Sequence, residues 1–283
     1  MVTQGAVLIT GASSGIGKAC AVHLDESGFR VFAGVRKPDD AQALAREASS
    51  RLTPVFLDVT DSASIAAALE TVESAMGEAG LAGLVNNAGV VAAGPMEFVR
   101  LEKVRQAIEV NVLGQIAVTQ AFLPLLRKGQ GRVVNMSSVS GLIAAQLVGP
   151  YSISKFALEA FSDVLRRELL PWGIHVAIIE PGRINTPIWE KSASVADDLM
   201  AYIPPRAHEL YGKALKSFID SSLDEKQVGT PPEAVARAVA HALTARRPKI
   251  RYVVGLDAKV VAVFLKWIPT RWVDKLLVFQ RGN

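Results

Sequence analysis

Short apolar runs alternate with longer segments of helical periodicity along most of the chain. A run of about four to eight apolar residues bounded by turn residues is typical of a strand that is buried on both faces of a parallel sheet. We predict seven strands, at residues 6–10, 30–35, 55–57, 83–86, 131–136, 175–180 and 251–255. Because helical segments separate them, the pattern predicts a single doubly wound, seven-stranded parallel α/β sheet with helices on both faces.

The helical segments differ in length and in regularity. Predicted helices cover residues 18–26, 61–76, 97–127 and 151–170. Residues 187–229 break the alternation with scattered large apolar side chains such as Trp189, Met200 and Phe218. Long segments at the mouth of a site are commonly lids, although packing of a small helix explains the same side chains equally well. We predict a main domain at residues 1–255, with 187–229 as its lid, and a separate tail at residues 256–283.

The tail places aromatic and aliphatic residues among cations. Trp267 and Trp272 alternate with Lys259 and Lys275, and Pro269 divides the tail into two short amphipathic segments. Aromatic residues beside cations suit a membrane surface. Three interpretations stay open: packing in the core or a dimer, a cap over a substrate pocket, and peripheral membrane contact.

Charge and composition narrow the class of protein. Half of the 283 residues are apolar, which is ample for a sizeable core, and the net charge is +4. From Arg246 onward the balance is +7, so the preceding part is slightly acidic at −3, which argues against a nucleic-acid-binding protein. Cys20 is the only cysteine, which excludes a disulfide within the chain and predicts a small core residue.

The N-terminus and the apolar runs bear on localisation. The first predicted strand begins six residues into the chain, which leaves no room for a signal peptide. No uninterrupted apolar run approaches the roughly 20 residues that span a bilayer. We expect a cytoplasmic protein, with membrane association only through the tail. His208-Glu209 has no further ligand nearby in the sequence, so we predict no metal site.

A glycine-rich turn follows the first predicted strand and precedes a helix. Glycines at positions 11, 15 and 17 allow a tight turn and expose backbone amides at the helix N-terminus, where a diphosphate can dock. The strand–turn–helix context is the one that this motif requires. The candidate cofactor-binding residues of this turn are Gly11, Ser13, Ser14, Gly15, Ile16 and Gly17.

The ends of the second and third strands carry further candidates. Arg36 and Lys37 stand about 20 residues after the glycines, where an NAD enzyme usually places an acidic residue for the ribose. Two cations favour the 2′-phosphate of NADP through charge-assisted hydrogen bonds, to which Ser13 could add another. The alternative is that they only solvate the end of a strand. Asp58, followed by Val59, is a candidate for the adenine amino group.

Polar and small residues also follow the fourth and fifth strands. Asn87, Ala88 and Gly89 would let the chain pass close under a cofactor, although an ordinary turn has the same composition. Ser138 stands at the carboxyl edge of the sheet, where ligands bind in open parallel sheets. Asn111 lies among apolar residues of a helix, a setting in which an amide is usually a satisfied core hydrogen-bonder.

Tyr151 and Lys155 form a chemical pair. In a helix their spacing of four residues places both side chains on one face, one turn apart. An ammonium about 4 to 6 Å away would pull the phenol pKa down from about 10 toward neutrality and make Tyr151 a usable proton donor and acceptor. An exposed helix turn with no chemical role is the alternative for such a pair in isolation.

Together these motifs resemble the short-chain dehydrogenase/reductase family over about residues 5–255. The residues around the motifs are similar to those of retinol dehydrogenases and 17β-hydroxysteroid dehydrogenases. The resemblance is carried by the segments 10–17, 86–89, 137–138, 151–155 and 181–186, together with Asn111. It implies that the main domain is a Rossmann-type dinucleotide-binding and catalytic domain. The last of these segments contains two candidate cofactor-binding motifs, Pro181-Gly182 and Ile184 to Thr186.

The resemblance also implies a role for each matching residue. Tyr151 would be the general acid or base, and Lys155 would lower its pKa and hold the nicotinamide ribose. Ser138 would donate a hydrogen bond to the substrate oxygen, and Asn111 would anchor a water in the proton path. The Ile184 backbone and Thr186 would hold the carboxamide. Arg183, charged beside the expected nicotinamide site, has no role assigned from sequence.

These expectations combine into one function and one alternative. We expect an NADP(H)-preferring oxidoreductase, with NAD as a possible cofactor, that interconverts a lipophilic alcohol and its ketone or aldehyde, of steroid, retinoid or fatty type. The apolar loop at residues 142–148 supports a lipophilic substrate. A homodimer or homotetramer is expected. The alternative is a non-catalytic NADP(H)-binding sensor or scaffold.

Overall fold

All seven predicted strands are present and form one parallel sheet. The computed structural model describes residues 4–186, 199, 202–223, 229–264 and 267–282. The strands are β1 (Ala6–Ile9), β2 (Arg30–Val35), β3 (Leu52–Phe56), β4 (Gly83–Asn86), β5 (Arg132–Met136), β6 (Val176–Pro181) and β7 (Arg251–Val254). Their order in the sheet is β3-β2-β1-β4-β5-β6-β7. The predicted fold class is confirmed.

The helices cover both faces of the sheet. They are α1 (Gly15–Glu26), α2 (Pro38–Glu47), α3 (Ser62–Met76), α4 (Leu101–Ile108), α5 (Gly114–Lys128), α6 (Gly149–Leu169), α7 (Pro205–Leu223), α8 (Pro232–Thr244), α9 (Leu256–Phe264) and α10 (Thr270–Gly282). Alternate residues of β1 enter two different apolar clusters: Val7 and Ile9 pack on the side of α1 and α8, and Leu8 packs on the side of α3 and α5. The buried strands therefore anchor a core on each face.

Two elements differ from the sequence-based expectation. Helix α2 was not predicted: it is short and mostly polar, and Leu44 is its only buried residue. Strand β3 begins at Leu52, before the predicted residue 55, and includes Pro54. Among the described strands β3 lies at the edge of the sheet, beside β2, and an edge position tolerates the missing amide of proline.

The long helix predicted at residues 97–127 contains a π-helical turn. α4, the π-helical Glu109–Leu113 and α5 are continuous. Of the part of the chain described here, only this helix is long and apolar enough to cross a membrane by length and composition. Core helices pass the same test, and Val118, Phe122 and Leu126 of this one are fully buried in the core. It is therefore weak evidence for a membrane span.

The predicted lid and tail are only partly described. Trp189 and Met200 lie outside the described residues. Leu199, Ile203, Ala207 and Leu215 form a buried cluster with Leu147 of the loop before α6. This packing accounts for Ala207 and Leu215 of α7, whereas Leu210 of the same helix is exposed. In the tail, Pro269 separates α9 from α10, and α10 contacts α7.

Candidate active site

The glycine-rich turn brings bare backbone to the N-terminus of α1. Gly15 has a φ of +56°, a conformation that side chains disfavour. A Cβ at Gly17 would overlap the Gly11 carbonyl oxygen and the side-chain nitrogen of Asn87. Ser14 precedes the helix and makes no side-chain capping bond, so its first-turn amides are not occupied by that side chain. Bare amides at a helix N-terminus are a setting in which a diphosphate can bind, and the predicted cofactor-binding residues Ser13 and Ile16 lie in this turn.

Thr10 connects the glycine turn to the residues that follow β4 through hydrogen bonds. Its hydroxyl accepts hydrogen bonds from the Asn87 amide at 2.9 Å and from the Ala88 amide at 3.0 Å. The Asn87 side chain donates to the carbonyls of Thr10 and Gly11, each at 3.0 Å. Asn87 and Ala88 therefore pack directly against the glycine turn. A Cβ on Gly11 would lie only 2.8 Å from the Ala88 Cα.

The cations after β2 lie beside the end of β3. Arg36 and Lys37 are both exposed, and the Arg36 guanidinium is 3.8 Å from the Asp58 carboxylate. The backbone amide of Thr60, its hydroxyl and Arg36 hold the pKa of Asp58 below its ordinary value. The Val59 side chain is buried, so only its backbone can face this edge.

Ser138, Tyr151 and Lys155 meet at the carboxyl end of β5. Ser138 begins the turn Val139–Gly141 and hydrogen-bonds with the Tyr151 phenol. Tyr151 stands in the first turn of α6, with Lys155 one turn later. The Lys155 ammonium is 5.5 Å from the centre of the Tyr151 ring and donates to the Met136 carbonyl at 2.7 Å. The predicted spacing therefore does place the two side chains together.

The expected lowering of the Tyr151 pKa is wrong for the protein in this state. Burial raises the pKa of the phenol, and the hydrogen bond with Ser138 offsets this only in part. Burial also lowers the pKa of Lys155 to about 8, against the opposing charge of Glu159. Desolvation was not visible in the spacing of the two residues, and here it is the largest cause of both shifts. Tyr151 is therefore a protonated phenol at neutral pH.

Asn111 lies in the π-helical turn between α4 and α5. Its side-chain oxygen accepts from the Val90 amide at 2.8 Å, and its nitrogen donates to the Val90 carbonyl and the Ser154 hydroxyl, each at 2.9 Å. The Ser154 hydroxyl in turn donates to the Tyr151 carbonyl at 2.7 Å. Gly89 leaves room here, since a Cβ on it would lie 3.2 Å from the Asn111 oxygen. Asn111 thus ties the chain after β4 to the first turns of α6.

The segment after β6 reaches back to the glycine turn. A Cβ at Gly15 would lie 3.3 Å from the Thr186 Cβ, so the two positions are neighbours. Ile184 forms a bridge with Thr230. Gly182, which follows Pro181, lies against the Asp257 carboxylate, which accepts from the Arg183 amide at 2.7 Å. The base of the tail therefore holds this segment in place.

The apolar loop before α6 faces α7. Leu147 has a φ of +66° and is buried, and its carbonyl accepts from the Gly94 amide at 2.6 Å. A leucine in this conformation is strained and is held by its surroundings. Tyr211 of α7 donates to the Glu97 carboxylate at 2.9 Å. The loop and α7 together form an apolar wall beside the candidate site.

The sequence-based search missed the charged groups behind Lys155. Glu159, Asp163, Glu180 and Arg251 form an ion-pair network there. The four-residue spacing of Tyr151, Lys155, Glu159 and Asp163 was the signal that could have revealed part of it. Within the described ranges, no group of three His, Cys, Asp or Glu could hold a metal ion. Cys20 is fully buried, and burial raises the pKa of its thiol to about 12.

A doubly wound parallel sheet with a glycine turn at its switch point defines a dinucleotide-binding protein of the Rossmann type. The short chain dehydrogenase family matches residues 5–196. Retinol dehydrogenase 5 of Mus musculus is 42% identical over 282 residues, covering 96% of this chain and 87% of that protein. The chain therefore belongs to the short-chain dehydrogenase/reductase family, and the expected oxidoreductase class, acting on CH–OH and C=O groups, is confirmed.

Other relatives agree with this assignment. 17-beta-hydroxysteroid dehydrogenase type 6 of Bos taurus is 41% identical, covering 96% of this chain and 87% of that protein. NADPH-dependent 3-dehydrocapnine reductase of Ornithobacterium rhinotracheale is 38% identical, covering 95% and 94%. The solved structure of a short-chain dehydrogenase from Streptomyces avermitilis has a TM-score of 0.78 at 27% identity, covering 99% of this chain and 98% of that one. The expected family is thus confirmed.

Proposed function

We propose that this protein is an NADP(H)-preferring oxidoreductase that interconverts a lipophilic alcohol and its ketone or aldehyde, with Tyr151 as general acid and base. The observation that carries the proposal is the meeting of Ser138, Tyr151 and Lys155 at the carboxyl edge of the sheet. Thr186 contributes a second anchor because it lies against the glycine turn of the same edge. Binding and proton chemistry would therefore share one cleft.

The residues at this edge fit a nicotinamide dinucleotide. The glycine turn packs against Asn87 too closely for a side chain at Gly17, and the diphosphate would bind at the N-terminus of α1 that this turn opens. Arg36 and Lys37 would bind the 2′-phosphate, and Asp58 would face the adenine. Thr186 would hold the carboxamide, together with the Ile184 backbone. When bound, the nicotinamide supplies or accepts the hydride.

The relative named as NADPH-dependent supports the preference for NADP. The exposed Arg36 guanidinium also supports it, since its 3.8 Å separation from Asp58 leaves it a weak ion pair at the surface. NAD would lack the phosphate that these cations recognise. Arg36 is therefore the residue through which cofactor preference is tested.

Two side chains of the site would act on the substrate oxygen. The Ser138 hydroxyl would donate a hydrogen bond and stabilise the negative charge that develops there. Tyr151 would give its proton to this oxygen when a carbonyl is reduced and would take it back when an alcohol is oxidised. The raised pKa of Tyr151 keeps the proton in place before reduction begins. Lys155 would hold the nicotinamide ribose and favour the phenolate after proton transfer.

An apolar substrate is supported by the walls of the site. Leu147 of the loop before α6 packs against buried side chains of α7. We propose that this apolar packing borders the substrate and that the segment 187–229 is a lid over it. Relatives named for retinol and for hydroxysteroids support substrates of this class. Fatty aldehydes and alcohols share their apolar character and belong in the same test panel.

Absorbance of the reduced nicotinamide tests the proposal directly. We expect turnover with at least one steroid, retinoid or fatty alcohol or aldehyde, and a loss of about 100-fold to 10,000-fold in kcat for Tyr151→Phe without loss of NADP(H) affinity. Tyr252→Phe serves as the control for damage to the fold, because it removes another phenol, one outside the proposed site. The Tyr252 hydroxyl accepts a hydrogen bond from the Lys249 amide at 3.0 Å. Tight cofactor binding without turnover of any panel member would instead favour the sensor or scaffold.

We also propose that the protein assembles through the outer face of α6. Ile153, Phe156 and Val164 are exposed on the face opposite Lys155. Exposed apolar side chains aligned on one helix suit packing against a second copy. A homodimer, or a homotetramer built from two such dimers, would cover them, and light scattering measures the mass.

The tail is proposed to combine two of its expected roles. α10 contacts α7, which belongs to the proposed lid segment, so the tail would support the lid by packing against it. On its outer side Trp267 is 86% exposed, and Lys275 lies 5.5 Å from the Trp272 ring. We therefore include peripheral contact with an anionic membrane surface, which co-sedimentation with phosphatidylserine vesicles tests.

A further inference from the structure

One face of α6 carries four chemically active side chains in successive turns. Tyr151, Lys155, Glu159 and Asp163 follow one another at intervals of four residues. Lys155 is 3% exposed and Glu159 is 8% exposed, whereas Asp163 is closer to solvent. The stripe therefore runs from the proposed site through the protein interior toward the surface.

Arg251 of β7 braces the lower part of this stripe. Its guanidinium lies 3.1 Å from the Glu159 carboxylate and 3.3 Å from the Asp163 carboxylate. A third contact, at 3.1 Å, joins it to Glu180 of β6, which is 1% exposed. The Ser137 hydroxyl and the Glu159 side chain both lie beside Gly141, just after the end of β5. Glu159 is thus buried there and paired with Arg251.

A buried carboxylate in this place needs a physical reason. Burial of charge costs several kcal/mol, and apolar residues of similar volume commonly serve a fold at least as well. Burial raises the pKa of Glu159, while Ser137 and Arg251 lower it again and support the charged form. The charge of Glu159 in turn acts on Lys155, whose pKa burial would otherwise lower further.

We propose that Glu159, one helical turn from Lys155 and paired with Arg251, is a positioning residue that acts through Lys155 by keeping its buried ammonium charged. Its meaning for turnover rests on the proposed function. The titratable groups of the stripe and of the ion-pair network behind it are Tyr151, Glu159 and Asp163 on α6, Glu180 on β6 and Arg251 on β7. Of these, Glu159 is the carboxylate one helical turn from Lys155.

NMR of protein labelled at the lysine ε-carbons measures the Lys155 titration without any substrate. The Lys155 signal is identified by its loss in Lys155→Met. We expect Glu159→Gln to lower the titration midpoint by roughly one pH unit. Asp163→Asn is the matched control, because it makes the same change one turn further along and removes another Arg251 partner; its midpoint should stay that of the wild type.

A second variant covers the case in which Glu159→Gln fails to fold. Glu159→Met also removes the charge and leaves Arg251 its contacts with Asp163 and Glu180, and its Lys155 midpoint should likewise lie below that of the wild type. A midpoint unchanged in both variants, or lowered equally by Asp163→Asn, would overturn the proposal.

Kinetics then separate positioning from structure. In Glu159→Gln we expect kcat relative to wild type to fall as pH rises between roughly pH 6 and 9, with little change in KM, because Lys155 loses its proton earlier. Glu159→Asp retains the charge and should restore most of the wild-type profile. If no substrate is turned over, the proposed function fails, but the NMR titration still decides the role of Glu159. If the pH profile of kcat in Glu159→Gln ran parallel to that of the wild type, the proposed role of Glu159 would be contradicted.

Discussion

The buried ammonium of Lys155 should give the stability of this protein a distinctive dependence on pH. Burial lowers the Lys155 pKa from 10.5 to about 8. Between these values the unfolded chain binds more protons than the folded one, so stability rises with pH across this window. The folded state carries the full cost of the buried charge below about pH 8 and loses it as Lys155 deprotonates.

The size of the effect follows from the same two values. One pKa unit corresponds to about 1.4 kcal/mol, so the contribution of Lys155 to the free energy of unfolding changes by about 3 kcal/mol over the whole window. Lys155→Met has a similar apolar stem and no titrating group. We expect the stability of this variant, relative to wild type, to decrease by about that amount as pH rises from about 7 to 10.5.

Urea unfolding at several pH values measures this difference in protein free of nucleotide. Other tyrosines and lysines titrate in both proteins and largely cancel. Lys213→Met, at an exposed position on α7, serves as the control and should differ from wild type by a nearly constant amount. A constant difference between Lys155→Met and wild type across this range would refute the reasoning.

Three further substitutions test other parts of the molecule. Gly17→Ala should cost at least about 1–3 kcal/mol of stability and most of the affinity for NADP, because the new methyl would overlap the Gly11 carbonyl; thermal unfolding and nucleotide titration measure both. Arg36→Asp should shift the ratio of kcat/KM values toward NAD by about tenfold or more, and an unchanged ratio would place phosphate recognition elsewhere. Phe156→Glu should lower the mass seen by light scattering, since it puts a charge in the proposed interface; an unaltered mass would argue against that face.

Much of the fold could be predicted because its causes are local. The bounds predicted for β2 and β4 are those of the structure. A strand that is buried on both faces must be apolar at nearly every position, so its signal is contained in a few consecutive residues. The glycine turn is also local, because the backbone of Gly11 leaves no room for a side chain at position 17.

Other features could not be predicted because distant residues create them. Arg251 and Glu159 lie 92 positions apart and meet only when β7 packs beside α6. The π-helical turn at Asn111 depends on its bonds to Val90 and Ser154, which belong to two other segments. No periodicity within one helix indicates such contacts.

The sequence by itself determined the parallel sheet, the glycine turn and the pairing of Tyr151 with Lys155 on one helix face, because residue spacing and steric size suffice for each. Only the tertiary structure decided how those two groups hold their protons. Burial strips water from both of them, and the resulting free-energy cost depends on every neighbour that the folded chain supplies. The pairing of the Glu159 carboxylate with Arg251 of β7 belongs to that second kind of information.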